Sequence, residues 1–159
     1  MSLLSAKTPF DSQTLPDNIL QRFFVDNSSG GKRISPWHDI PLFSDNKVDL
    51  IHTISCVSRG SKAFHRIAKE LPYNHLVHEK PCPLASPCDQ GVAPQTWQCP
   101  TSVDPITGFL GCGEPLDVVE LGYPSPTSSP GDVYPVRVIG ALPLVRKGVT
   151  CWKVSFFMQ

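Results

Sequence analysis

The sequence predicts a mainly β fold of the α+β class, a small twisted sheet or barrel carried on long proline-rich connections. Three observations point there. The 17 prolines are about twice the usual share and bar long helices. Runs of strand length rich in valine and aromatic residues recur along the chain. In the clearest of them apolar residues alternate with small or polar ones, the period-two pattern of a strand.

Taken in order, residues 1–16 show no periodicity and read as a loose N-terminal arm. Residues 20–25 (LQRFFV) read as a strand, stopped by the turn-rich run 27–31 (NSSGG). Pro36 and Pro41 keep residues 34–42 out of any central strand, because each lacks the amide a ladder needs. Residues 50–57 (LIHTISCV) alternate as a half-buried strand does. Over 61–71 the apolar positions Phe64, Ile67, Ala68 and Leu71 recur at three and four residues behind a capping Ser61, which predicts a helix. Residues 80–100, broken by five prolines, and 123–131 (YPSPTSSPG) read as loops. Residues 116–121, 133–142 and 149–157 are three further strands, and no internal repeat is present.

A chain of 159 residues makes about one domain. Its 14 basic and 14 acidic side chains cancel, so no overall field favours nucleic acid, an anionic membrane or a polyanionic substrate. No run approaches the roughly 20 apolar residues that span a bilayer, and residues 1–10 lack a basic region followed by an apolar one. The expected compartment is cytoplasmic. The six cysteines form no C-x-x-C pair and read as free thiols in a reducing compartment rather than as zinc ligands.

Three local stretches carry a resemblance. Residues 34–42 (ISPWHDIPL), 94–97 (PQTW) and 114–122 (EPLDVVELG) are similar to the SPFHDIPL, PQTWEDP and GDNDPIDVCEIG motifs of soluble, family I inorganic pyrophosphatases of the eukaryotic type. They stand in the same order, without a gap from Gln95 to Gly122, and residues 136–140 (VRVIG) and 151–154 (CWKV) continue the match. The resemblance implies a partial pyrophosphatase domain over 17–159, an OB-like five-stranded barrel with flanking helices, incomplete at its C-terminus since family chains continue beyond the WKV motif. It also implies a site in the barrel mouth and Mg²⁺-dependent hydrolysis of diphosphate to two phosphates.

That chemistry needs carboxylates. Water must attack a phosphorus surrounded by anionic oxygens, and several Mg²⁺ ions both neutralise the phosphates and generate hydroxide. Magnesium prefers hard oxygen ligands, so a ring of Asp and Glu must hold it, with Lys, Arg and Tyr on the remaining phosphate oxygens. On an extended segment, residues two apart face the same way about 6.6 Å from each other, a span that suits carboxylates sharing neighbouring metals.

By resemblance, the five aspartate positions of the family fall on Cys112, Glu114, Asp117, Arg146 and Cys151. With neutral thiols their charges are 0, −1, −1, +1 and 0, a sum of −1 where the family pattern has −5. Glu114 and Asp117 are the expected metal ligands and Lys153 the expected phosphate-binding residue. The family's strand glutamate falls on Cys56, and the lysine and glutamate of a further motif on Phe64 and Arg66. The segment that carries its phosphate-binding arginine and active-site tyrosines has no counterpart between Glu79 and Gly91. Cys112 and Cys151 could approach one another in the inherited site, which leaves a disulfide or a soft-metal site open there. His38 and Asp39 read as structural, and Trp37, Trp97 and Trp152 as packing residues.

The charge count predicts impaired or lost turnover. Two other readings stay open at this point: a catalytically dead binding protein paired with a second copy or with an intact pyrophosphatase subunit, and a poorly folded product of a decayed gene copy.

Overall fold

The structure, a computed structural model, describes residues 19–23, 25–26, 32–44, 47–79, 81–122 and 129–157. The arm expected over 1–16, the turn over 27–31 and most of the second loop lie outside them. Twelve strands are described: β1 (Ile19–Phe23), β2 (Val25–Asp26), β3 (Arg33–Ile34), β4 (Phe43–Ser44), β5 (Lys47–Val57), β6 (His65–Ile67), β7 (Leu76–Glu79), β8 (Gln90–Val92), β9 (Leu110–Gly111), β10 (Asp117–Glu120), β11 (Val133–Arg146) and β12 (Val149–Phe157).

Five of these close on themselves. β5 pairs with β8, β8 with β10, β10 with β12, β12 with β11, and β11 returns to β5. All five pairings are antiparallel except β10–β12, which is parallel. Closure removes the unpaired edges that an open sheet of this size would expose. This is the mainly β, OB-like barrel expected from the sequence, and the chain's only described helical element is the short 3₁₀ turn Pro72–Asn74.

The longest strand, β11, is joined to β12 by a two-residue turn. Lys147 and Gly148, between β11 and β12, both have positive φ, 51° and 77°, the backbone that a two-residue hairpin turn requires. β11 runs to Arg146, four residues beyond the expected strand 133–142, because its far half, past its pairing with β5, is held by β12.

Apolar side chains gather in two main clusters. One holds Ile54, Cys56, Ile67, Leu76, Val92 and Val133 among others, with Trp37 and Phe64 packed against it. The second holds Ile51, Ala93, Val118, Val136, Val154 and Phe156. Burying each aliphatic or aromatic side chain contributes about 1.5–3 kcal/mol, so these clusters supply the main driving force. β5 was expected to be half-buried, yet every residue from Ile51 to Val57 is buried. Packing covers both of its faces: the His52 ring nitrogen Nδ1 meets the Pro41 carbonyl at 2.7 Å, on the side covered by the 36–42 segment.

The helix expected over 61–71 is absent, and β6 and a turn stand there instead. Ser61 Oγ accepts the Ala63 amide, but the chain then extends, and β6 pairs with β7 through His65↔His78, Arg66↔Val77 and Ile67↔Leu76. Ile67 and Leu76 both enter the first cluster. Local spacing loses to a ladder and a buried contact set by a distant part of the chain. The expected loop 80–100 likewise contains a strand, β8, which sits between β5 and β10 in the barrel wall.

Core burial has a titration consequence. The Cys56 thiol is pushed up to about 12 by burial, with the Asp117 charge adding to it. The folded chain therefore keeps this proton where the unfolded chain has lost it. Stability is whole below the ordinary thiol pKa near 9 and falls as pH rises toward 12, by about 1.4 kcal/mol per pH unit for this group. Urea unfolding at pH 9 and pH 10 is expected to show that loss, and Cys56→Ala to lack this share of it. Tyr134, whose phenol burial pushes far up, adds to the slope in both chains above pH 10.

Candidate functional site

A cavity of about 420 Å³ draws on all five barrel strands: Cys56 from β5, Gly91 from β8, Asp117 from β10, Arg146 from β11, and Cys151 and Lys153 from β12. Glu114, on the turn that leads into β10, also lines it, as does Arg66 from β6. The structure thus brings the three residues singled out from the sequence, Glu114, Asp117 and Lys153, to one cavity.

Asp117 opens β10 and is registered with Lys153 on the parallel neighbour β12. Cross-strand neighbours on one face meet directly, and Lys153 Nζ donates to Asp117 Oδ2. Glu114 is placed by a tight turn: Gly113 has φ 69°, its amide donates to the Gln98 carbonyl at 2.8 Å, and the Gln98 amide donates to the Glu114 carbonyl at 2.9 Å. Its carboxylate is engaged too. Lys69 Nζ donates to Glu114 Oε1 at 2.7 Å and to the Gly113 carbonyl, and lies 5.3 Å from the Trp97 ring centroid.

Lys69 was not singled out from the sequence, because residues 61–71 read as a helix and gave no reason to bring it to a turn 45 residues away. Arg66 points its guanidinium at Glu79, at 2.6 Å, and at Glu70, at 2.8 Å. The Cys112 thiol is pushed up to about 11, by burial first and then by its hydrogen bond with Cys151, so it is neutral near pH 7. Of the charged groups at the cavity, Arg66, Arg146 and Lys153 are cationic and Glu114 and Asp117 anionic, three against two. Among the described residues, no three His, Cys, Asp and Glu side chains are grouped so as to hold a metal ion.

Away from the cavity, two of the sequence motifs dock on each other. Trp37 Nε1 donates to the Thr96 carbonyl at 3.0 Å, Gln95 Nε2 donates to the His38 carbonyl at 3.0 Å, and the Trp37 and Trp97 rings lie 5.5 Å apart. Asp39 is spent within its own turn, accepting the Ser35 amide at 2.8 Å, and His38 Nδ1 meets Asn74 Oδ1 at 2.9 Å. Trp152 donates its indole to Asp104, whose carboxyl that bond holds below the usual range.

A closed OB-like barrel whose five strands share one ligand-sized cavity, lined by charged and apolar side chains together, defines a class of small-molecule site built at a barrel mouth. The chain belongs to the inorganic pyrophosphatase family, whose family model matches residues 40–156. It is similar to the human inorganic pyrophosphatase, 33% identical over 155 residues covering 91% of this chain and 52% of the human one. It is similar to that of Drosophila melanogaster as well, 32% identical over 135 residues covering 78% of this chain and 39% of the other. The solved inorganic pyrophosphatase of Schistosoma japonicum superposes with a TM-score of 0.81 at 30% identity, over 96% of this chain and 55% of that one. The chain spans about half the length of the curated relatives it matches, or less. No helix of the described residues is long and apolar enough to cross a membrane.

Proposed function

We propose that this chain is a pyrophosphatase-family protein in which Mg²⁺-dependent hydrolysis of diphosphate to two phosphates is impaired. One observation carries the reading: both carboxylates at the cavity are already bonded to lysines, Asp117 to Lys153 and Glu114 to Lys69. Family membership implies a divalent metal, and a metal cluster needs several free oxygen ligands. Here the remaining positions offer thiols, which are poor ligands for Mg²⁺, and an arginine that repels it. The side chains present do not fit a magnesium cluster.

Glu114 and Asp117 remain the groups that a single divalent ion would use, and Lys153 the group for a phosphate oxygen, which would compete with Asp117 for the ammonium. Steady-state phosphate release with Mg²⁺, measured beside the human relative, tests the reading. The expected kcat/KM is lower on the order of 10³-fold or more, the scale of losing even one strong transition-state contact. A rate within about tenfold of the relative, abolished by Asp117→Ala, would show the site to be competent.

A specific observation favours a second reading, a binding protein without turnover. Ile139, Leu142, Leu144 and Val145 are exposed along the outer half of β11. Apolar residues concentrated on one segment mark an interaction surface, here for a second copy or an intact pyrophosphatase subunit. Sedimentation velocity reads this directly, and a monomer at tens of micromolar, alone and mixed with the intact relative, counts against it. In both readings the protein works in the cytoplasm, where six unbridged cysteines persist.

A further inference from the structure

Two thiols meet on the wall of the cavity. β9 runs parallel to β12 with Leu110 opposite Val149 and Gly111 opposite Thr150. One residue further along each segment stand Cys112 and Cys151, so the same register makes them neighbours across the pair. Adjacent strands lie about 4.7–4.9 Å apart, inside the roughly 4.4–6.8 Å between Cα atoms that a disulfide spans. Their side chains open on the same space: both cysteines line the cavity. Both are partly exposed and neither is bridged, so a small reagent in the cavity reaches them. Buried Cys56 lines the same space from β5 but pairs with the Ile54 carbonyl of its own strand.

We propose that Cys112 and Cys151 are a paired-thiol modification site for low-molecular-weight disulfides, which close them into a disulfide across the β9–β12 edge. One protein thiol, as thiolate, attacks a sulfur of the small disulfide, forming a mixed disulfide and releasing one small thiol. The second protein thiolate then attacks the protein sulfur of that mixed disulfide and releases the other. Two electrons pass from the cysteine pair to the reagent, and the two protons lost by the protein are taken up by the two departing thiolates. Proximity makes the second step intramolecular, so the mixed species does not accumulate. The site stands independently of whether the cavity turns over diphosphate.

The test treats the purified chain with oxidised glutathione, blocks the remaining thiols with an alkylating reagent and maps the digest by tandem mass spectrometry. The expected result is a cross-link between Cys112 and Cys151 without retained glutathione, reversed by dithiothreitol. In Cys151→Ser the adduct stays as a single glutathione on Cys112, and in Cys112→Ser on Cys151. The proposal is overturned if both thiols remain alkylatable while the exposed Cys82 takes up glutathione, or if each cysteine keeps its own glutathione. Because the bridge is read in the unaltered chain, a poorly folding serine variant leaves that decision intact.

Discussion

Replacing Cys112, Arg146 and Cys151 together by aspartate is expected to turn the cavity into a magnesium site, raising Mg²⁺ affinity by on the order of 10³-fold or more. The three changes move the local charge by −1, −2 and −1, from −1 to −5 over the five positions that match the family's aspartates. A guanidinium about 5 Å from a dication repels it by roughly 7 kcal/mol at an effective dielectric near 20, comparable with the roughly 8 kcal/mol of a micromolar site. Arg146 is exposed and can turn outward, so its removal alone is expected to do much less than the triple change. Without metal the variant should be less stable than the parent, since five carboxylates then repel one another. A thermal melt therefore gives the clearest readout: a large rise in Tm with millimolar Mg²⁺ for the variant and little for the parent. Equal shifts for both chains would mean that charge at these positions is not what limits metal binding.

Gly91→Ala is expected to cost about 3 kcal/mol or more, enough to unfold a marginal domain. Gly91 is the middle residue of β8, opposite Ser55 of β5 and Val118 of β10. A Cβ there would lie 2.5 Å from the Ile54 carbonyl oxygen and 2.6 Å from Thr53 Oγ1. The threonine hydroxyl can rotate away, but the carbonyl belongs to a strand fixed on both edges, and Ile54 is fully buried. Relief requires β8 and β5 to separate, which opens the barrel. Gly60→Ala is the fitting control: no atom lies within 4 Å of its Cβ, and only its φ of +77° opposes the change, for about 1–2 kcal/mol. Urea unfolding of the two variants separates close approach from backbone strain, and equal losses would mean that the barrel wall has more give than the structure implies.

The difference between these glycines shows how far the sequence could be read. Strands long enough to bury several side chains of their own, β5, β11 and β12, announce themselves by alternation and valine content. β8 does not, because a three-residue segment centred on glycine has almost no strand preference and is held by its ladders to Ile54, Ser55 and Val57 on one side and Asp117, Val118 and Val119 on the other. The same holds at residues 61–71, where a helical spacing is real in the sequence but Ile67 gains more by packing with Leu76 in the first cluster. At the cavity, the residue types revealed what had been exchanged, and Glu114, Asp117 and Lys153 were legible through motif position. Their bonding was not. That Lys69 reaches Glu114, and that Lys153 meets Asp117 instead of standing ready for a phosphate, follows from the turn at Gly113 and the parallel register of β10 with β12, neither of which leaves a local signature.

The exchange of carboxylates for thiols and an arginine leads to one directly measurable quantity, the number of Mg²⁺ ions the unaltered chain holds. Isothermal titration of the purified protein with MgCl₂ near pH 7 is expected to give no binding tighter than the millimolar range, with and without diphosphate present. Two or more ions bound with micromolar affinity would contradict that expectation and restore the barrel mouth as a working pyrophosphatase centre.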